Sequence, residues 1–241
     1  MTQYDTLAAR LADIEKAIGF LRENVEFPSF LRALGPVHGK RVLDVGCGDG
    51  AYARMVARQG AGHVVGTDSS GEMIRLAEAA EAEDPLGIRY PVHDVAAMPQ
   101  LGSFDLVIAV NVLHYADSRA ALDGMCERMA AHLAPGGRLL AYVGNWACDP
   151  ETVQDFGFLV DRPADPREGD PYTITIPVTP PASLRVHYWP EESLVRALES
   201  AGFSRVGWEE MVHSSASSDS AARLGRLLKS PPSLLLSAYK D

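Results

Sequence analysis

The sequence predicts an α/β fold built on an open, doubly wound and mostly parallel sheet. Three observations predict it. Short apolar runs alternate with helical patterns from Arg41 onward, which is the rhythm of consecutive βα units. The run Phe104–Val110 is almost wholly apolar, as a strand covered on both faces of a parallel sheet must be. The stretch Val42-Leu43-Asp44-Val45-Gly46-Cys47-Gly48-Asp49-Gly50 leads branched residues into three alternating glycines. A helical pattern follows at once, so the stretch reads as buried strand, tight turn and helix start.

The elements follow in order. Leu7, Leu11, Ile14, Ile18 and Leu21 recur at helical spacing within residues 6–24. They predict an amphipathic helix that stops near Pro28, with a short helix over 29–34. Strand one is expected over 41–45 and its helix over 52–59. Strand two covers 63–67, and its helix covers 71–83 with Met73, Ile74, Leu76 and Ala77 inward. Strand three is short, 88–91, and strand four is 104–110. A helix over 118–133 is capped by Asp117 or Ser118 and stopped by Pro135-Gly136-Gly137. Strand five is 138–143.

Residues 145–186 then break the rhythm. They are rich in Pro, Asp and Gly, carry the strand-like Thr173-Ile174-Thr175-Ile176, and are too long for a simple connection. Trp146, Phe156, Phe158 and Tyr172 argue for packing rather than a disordered linker. An insertion at the carboxyl edge of such a sheet is where substrate specificity is usually built. A helix over 191–200, strand six over 204–212, a Ser-rich loop, a short helix over 221–229 and a last strand over 233–239 complete the chain.

The glycine turn carries the first chemical signal. Gly46 supplies the turn, and Gly48 and Gly50 lack the Cβ that would block a ligand approaching the backbone. About 20 residues on, Val64-Val65-Gly66-Thr67 ends in Asp68, placed to grip ribose hydroxyls. The spacing is G-x-G-x-G rather than G-x-G-x-x-G, and Asp44 and Asp49 flank the turn. Those carboxylates suit a cationic ligand better than a pyrophosphate, which makes a nicotinamide dehydrogenase a poor option.

The string Val42–Gly50 resembles motif I of the class I S-adenosylmethionine-dependent methyltransferases, and Leu133-Ala134-Pro135-Gly136-Gly137-Arg138 resembles the family's approach to its fifth strand. The resemblance runs from Gly39 over most of the chain. It implies a Rossmann-like sheet of seven strands, the last antiparallel, with an N-terminal helical lid and an insertion after strand five. It further implies one methyltransferase domain over 1–241, with 1–38 as lid and 145–190 covering the substrate. S-adenosylmethionine is the implied cofactor. Its implied contacts are Asp44, Gly46, Cys47, Gly48 and Gly50 in the loop, Asp68, Ser69 and Met73 after strand two, and Tyr4 on the lid. Asp94 would accept a hydrogen bond from the adenine amine, with Val95 beside the ring; the other reading of Asp94 is a helix N-cap. Asn111, after strand four, completes the set beside the methyl group. The layout resembles small natural-product methyltransferases, including the toxoflavin N-methyltransferase group.

Methyl transfer from a sulfonium leaves a neutral thioether, so alignment and exclusion of water do much of the work. No metal is expected. A base is needed only if the acceptor binds protonated. His114, Tyr115, His187 and Tyr188 are the candidates, with packing or orienting roles as the alternative, and His114 lies just beyond strand four. The insertion, with Trp146, Phe156 and Tyr172, and the segment His187-Tyr188-Trp189 are expected to enclose a flat acceptor.

Composition narrows the partner. With a formal net charge of -10, the chain gains little by counterion release on nucleic acid. Asn111 is followed by Val112-Leu113, so the [D/N]-P-P-[Y/F] motif of amino-directed DNA enzymes is absent. A small-molecule methyl acceptor is therefore expected, with no nucleic-acid or membrane partner and a monomer or homodimer. A macromolecular substrate and a non-catalytic scaffold on the same fold are the alternatives. Three cysteines without metal-ligand spacing and a polar N-terminus suggest a reducing compartment, the cytoplasm by default.

Overall fold

The structure is a computed structural model that describes residues 2–214 and 218–241. Its main sheet contains β1 (Arg41–Val45), β2 (His63–Thr67), β3 (Phe104–Val110), β4 (Leu133–Gly144), β8 (Phe203–Trp208) and β9 (Ser233–Lys240). Between β4 and β8 lie β5 (Leu159–Asp161), β6 (Pro171–Ile176) and β7 (Ala182–His187), which form a separate antiparallel sheet. The order in the main sheet is β2-β1-β3-β4-β9-β8. The pairs from β2 to β4 are parallel, and β9 runs antiparallel to both β4 and β8.

The apolar runs are explained by where alternate side chains go. Leu43, Val107, Ala109, Leu139 and Ala141 enter one core; Val42, Leu106, Ile108, Leu140 and Tyr142 enter the other. The first core is closed by α6 (Arg119–His132) and α8 (Glu191–Ser200), through Leu122, Met129 and Leu198. The second is closed by α3 (Phe27–Leu34), α4 (Ala51–Arg58) and α5 (Gly71–Glu83), through Phe30, Val56 and Ile74. Helices on both faces leave these strands no solvent side, so their pattern is continuous rather than alternating.

The expected third strand, 88–91, is not formed among the described residues, so the sheet falls one short of the seven strands expected. Among the described residues the main sheet has six strands, and residues 88–92 make only isolated bridges beside β2, Val65 to Arg89 and Asp68 to Val92. Pro91 is the reason. Arg89 exchanges bonds with Val64 and Gly66, and His93 N–H reaches Asp68 O. The donor due between them falls on Pro91, which has no N–H. Thr67 Oγ1 donates to Pro91 O at 2.9 Å and holds the segment in place.

The N-terminal helix also differs from expectation. It is segmented into α1 (Gln3–Leu7), a 3₁₀ turn, α2 (Leu11–Leu21) and a π-helical turn Arg22–Glu26 that runs into α3. Pro28 does not stop it. It occupies the first turn of α3 directly after the π turn, and such a local change of helical pairing is where a proline's missing donor is accommodated. Two short helices remain, α7 (Pro150–Gln154) in the insertion and α9 (Ser218–Lys229) before β9. The Ser-rich loop falls partly on residues 215–217, outside the described residues. Among the described residues no helix is long and apolar enough to cross a membrane.

Candidate active site

The carboxyl ends of β1, β2 and β3 open into a cavity of about 500 Å³, roofed by α1 and α2 and by the small sheet. The loop after β1 is shaped by its glycines, and each does something different. Gly46 has φ +66°, and a Cβ there would sit 2.6 Å from Val112 Cγ2. Gly48 has φ +56°, and a Cβ there would meet no atom within 4 Å. Gly50 has φ +84°, and a Cβ there would sit 2.6 Å from Tyr90 Oη. Gly46 and Gly48 line the cavity. Gly50 does not; it caps α4 in left-handed conformation, and its missing side chain makes room for Tyr90. The expectation that Gly50 touches the ligand is corrected accordingly.

Asp68 locks this loop to the next. Gly48 N–H donates to Asp68 Oδ2 at 2.9 Å, and Ser70 N–H donates to Oδ1 at 2.8 Å. Each oxygen keeps lone-pair capacity for a ligand, since an ionised carboxylate accepts about four hydrogen bonds. Ser70 Oγ donates in turn to Asp5 Oδ1 at 2.6 Å, which ties α1 over the site. Sequence reasoning missed Ser70 and Asp5. The Thr2–Asp5 capping box is the signal that could have fixed the start of α1.

Asp44 carries the electrostatics. Its carboxylate is buried, and among the described residues neither oxygen meets a donor at hydrogen-bonding geometry. Burial pushes its pKa up to about 8; the Ala53 amide offsets this in part, and Asp68 and Asp49 reinforce it. The same cavity is lined by a group the sequence did not reveal. Arg22, in the π turn, pairs with Glu15 and Glu26 and rests over the Phe27 and Tyr52 rings. Burial pushes Glu26 up to about 7.

The remaining cofactor candidates are spread around the same cavity. Tyr4, Cys47, Ser69, Met73, Asp94, Val95 and Asn111 all line it. Tyr4 Oη lies 2.6 Å from Tyr115 Oη, with the rings edge to face. Asp94 is exposed, and Oδ1 accepts from Ala96 N–H at 2.9 Å, capping a 3₁₀ turn; the capping reading is realised at a cavity-lining position. Asn111 sits at φ +56°, a left-handed conformation that Asn tolerates better than most residues.

The four catalytic candidates divide. His114 and Tyr115 line the cavity. His114 is buried, its Nδ1 has no partner, and burial, aided by His187, pushes its pKa down to about 4. His187 and Tyr188 are not in the cavity. They border a separate void of about 10 Å³ behind His114, and Tyr188 packs on Trp146 at 4.5 Å. The parity of β7 decides this: Val186 faces the cavity, so His187 faces away. Both are therefore corrected from cavity groups to groups behind it.

The segment 42–137 matches the sequence profile of the methyltransferase domain. Similar relatives include the ubiquinone biosynthesis O-methyltransferase of Chelativorans sp. (strain BNC1), 36% identical over 124 residues. That match covers 50% of this chain and 47% of the relative, so the chain spans about half the length of such relatives. The structure resembles an S-adenosylmethionine-dependent methyltransferase of Mesorhizobium loti, with TM-score 0.65, 25% identity and coverage of 89% and 97% of the two chains. A methyltransferase of Clostridium acetobutylicum shares the fold, with TM-score 0.67 at 14% identity and coverage of 96% and 98%. The matched segment of the methyltransferase domain ends within β4. The insertion and β8–β9 lie beyond it.

The residues present fit a cofactor with a ribose and a positive charge. Asp68 offers a fixed carboxylate, Gly48 offers bare backbone under open space, and Asp44 is a buried carboxylate with no well-formed hydrogen bond among the described residues. An unpartnered buried polar group calls for an explanation, and a cationic ligand provides one.

Proposed function

We propose that the chain transfers a methyl group from S-adenosylmethionine to an oxygen or nitrogen of a small metabolite. The observation that carries this reading is the open cavity that joins the Asp68–Gly48 grip and the unpaired Asp44 to His114 and Tyr115. In this proposal the chain works as one unit, with residues 1–38 as lid and 145–190 as substrate cover. Oxygen is favoured as acceptor by the names of the relatives. A place in natural-product metabolism, as in the toxoflavin N-methyltransferase group, remains part of the proposal. Tyr4, Ser69, Met73, Asp94, Val95 and Asn111 would contact the cofactor along with the loop.

When bound, S-adenosylmethionine supplies an electrophilic methyl on a sulfonium. The chain's own residues position and shield. Asp68 holds the ribose, Asp44 balances positive charge, and the Tyr4–Tyr115 pair closes the wall. His114 is neutral at working pH and orients the acceptor as a hydrogen-bond partner. Incubating the protein with labelled cofactor and a metabolite extract, read by mass spectrometry, tests transfer directly; absence of any labelled product would count against it.

Two expected results follow from the titrating groups. Asp44 holds a proton up to about pH 8 in the folded protein, whereas an unfolded Asp loses it near pH 3.9. Asp44 therefore costs stability progressively as pH rises through that window. A cationic ligand restores the carboxylate, so binding releases a proton and affinity climbs with pH until about 8. The ligand's own amine titrates in the same range, so the readout is the difference between wild type and Asp44→Asn. Calorimetry should show a slope that the variant loses; identical slopes would remove Asp44 from the site. His114→Ala should lower turnover roughly tenfold, the worth of one orienting hydrogen bond, with cofactor affinity unchanged. Because His114 titrates near 4, its removal should not change the pH–rate profile above about pH 6. A step lost from the profile there would make it a titrating base instead.

A further inference from the structure

The small sheet of the insertion alternates cleanly. On β6, Tyr172, Ile174 and Ile176 line the cavity, while Thr173 and Thr175 lie on the opposite parity, and Thr175 bonds Ser183 on the exposed side. The register sets Val160 of β5 and Leu184 of β7 on either side of Ile174, and both line the cavity as well. Opposite stand Leu7, Leu11, Ile14 and Ile18, one face of α1 and α2 at helical spacing. The space between sheet and helices is thus largely apolar on both walls, with Glu15 of α2 and Phe158 beside β5 also lining it.

Part of that surface lies outside the packed apolar clusters of the described residues. Leu7, Ile14 and Ile176 pack together, joined by Ile18 and Leu184. Leu11, Val160 and Ile174 line the cavity, are only half-buried, and belong to none of the four packed apolar clusters. Apolar surface of this kind, facing a cavity and only partly covered by protein, is what a ligand's hydrocarbon would cover.

The polar groups sit at one end. A Cβ on Gly144 would lie 3.0 Å from Tyr172 Oη and 3.6 Å from His114 Nδ1, so the tyrosine hydroxyl and the imidazole converge at the end of β4. Arg162, at the same end, is held by the carbonyls of Trp146 and Cys148 and by the Trp146 ring. Moving along β6 from Tyr172 to Ile176, the lining turns from polar to wholly aliphatic over about 13 Å, four residues at about 3.3 Å each.

We propose that the methyl acceptor is amphipathic: a neutral hydroxyl- or amine-bearing head seated by His114 and Tyr172, with a flexible apolar tail running along β6 between the small sheet and α1–α2. This rests on the methyltransferase reading and names its substrate class. The insertion is then a tail-binding sheet, and acceptor choice is set by Leu11, Val160 and Ile174 rather than by aromatic stacking alone.

The test is a homologous series of 4-alkylphenols, methyl to octyl, titrated calorimetrically into the full chain, with S-adenosylmethionine binding measured on the same samples. Affinity should rise about three- to fourfold per methylene, the worth of one buried CH₂, and level off once the tail fills the slot. Ile174→Asn and, from the other wall, Leu11→Asn should each flatten that rise. Affinity for 4-methylphenol and for S-adenosylmethionine should stay within about twofold; a thermal melt checks that both variants fold, with Ile174→Thr as the milder replacement. Affinity independent of chain length, or a rise that survives in every folded variant, would overturn the tail site. S-adenosylmethionine binding with no chain-length dependence would overturn this proposal alone. A chain-length dependence without S-adenosylmethionine binding would support the tail site and overturn the methyltransferase reading beneath it.

Discussion

Replacing Asp68 with alanine is expected to weaken S-adenosylmethionine binding by about 2–3 kcal/mol, roughly 30- to 150-fold, as loss of a charge-assisted pair of hydrogen bonds implies. The carboxylate lies at the end of β2 with one oxygen on Gly48 N–H and the other on Ser70 N–H. It is therefore fixed before the ligand arrives, and little further ordering is needed on binding. The same bonds mean that the variant also loosens the glycine loop. Two backbone donors lose their acceptor, at a cost of about 1 kcal/mol each. Asp68→Asn separates the parts: it keeps the volume and one acceptor oxygen, but forfeits the charge and one of the two loop bonds. Its affinity should fall between wild type and Asp68→Ala. Calorimetry beside a thermal melt reads both effects. Wild-type affinity in Asp68→Ala would remove this residue from the binding site, and binding of a nicotinamide dinucleotide in place of S-adenosylmethionine would end the methyltransferase reading.

Much of this architecture was legible because its signals are local. The runs at 41–45 and 104–110 have no polar side, which forces burial on both faces, and the structure divides them between two cores. The loop and Asp68 were legible because positive φ and a short acidic side chain at a strand end leave residue-level marks. Strand three was over-read: Pro91 stands within it, and a proline that removes a ladder donor was a visible warning. The facing of His187 was not legible, because parity depends on the pairing of β7 with β6, a long-range fact. Only one of the three strands in the insertion showed itself, since Leu159–Asp161 is too short to carry a period. Arg22, Glu15 and Glu26 read as the solvent side of an amphipathic helix. They line the cavity instead, and no local propensity announces either the π turn at 22–26 or the pairing of Arg22 with both carboxylates.

Gly48→Val is expected to abolish S-adenosylmethionine binding while leaving the fold largely intact. No atom lies within 4 Å of a Cβ built on Gly48, so the protein itself has room for the new side chain. The room it takes is the cavity's. The backbone conformation at φ +56° adds about 1–2 kcal/mol of strain for any L-residue, and branching at Cβ adds to it. For a chain of this length that lowers the melting temperature by only a few degrees. Gly50→Val is the control that gives the comparison its meaning. It carries the same kind of backbone strain, but its Cβ falls 2.6 Å from Tyr90 Oη, in a ring packed within the second core. Its principal loss should be stability, by more than Gly48→Val, because overpacking a buried contact costs a further 1–3 kcal/mol. Two glycines of one loop should thus separate into a binding defect and a folding defect. Gly48→Ala, with the same φ and a single added carbon, should fall between wild type and valine in affinity. If Gly48→Val retains cofactor affinity, or loses stability as steeply as Gly50→Val does, the space above Gly48 is not where the cofactor lies.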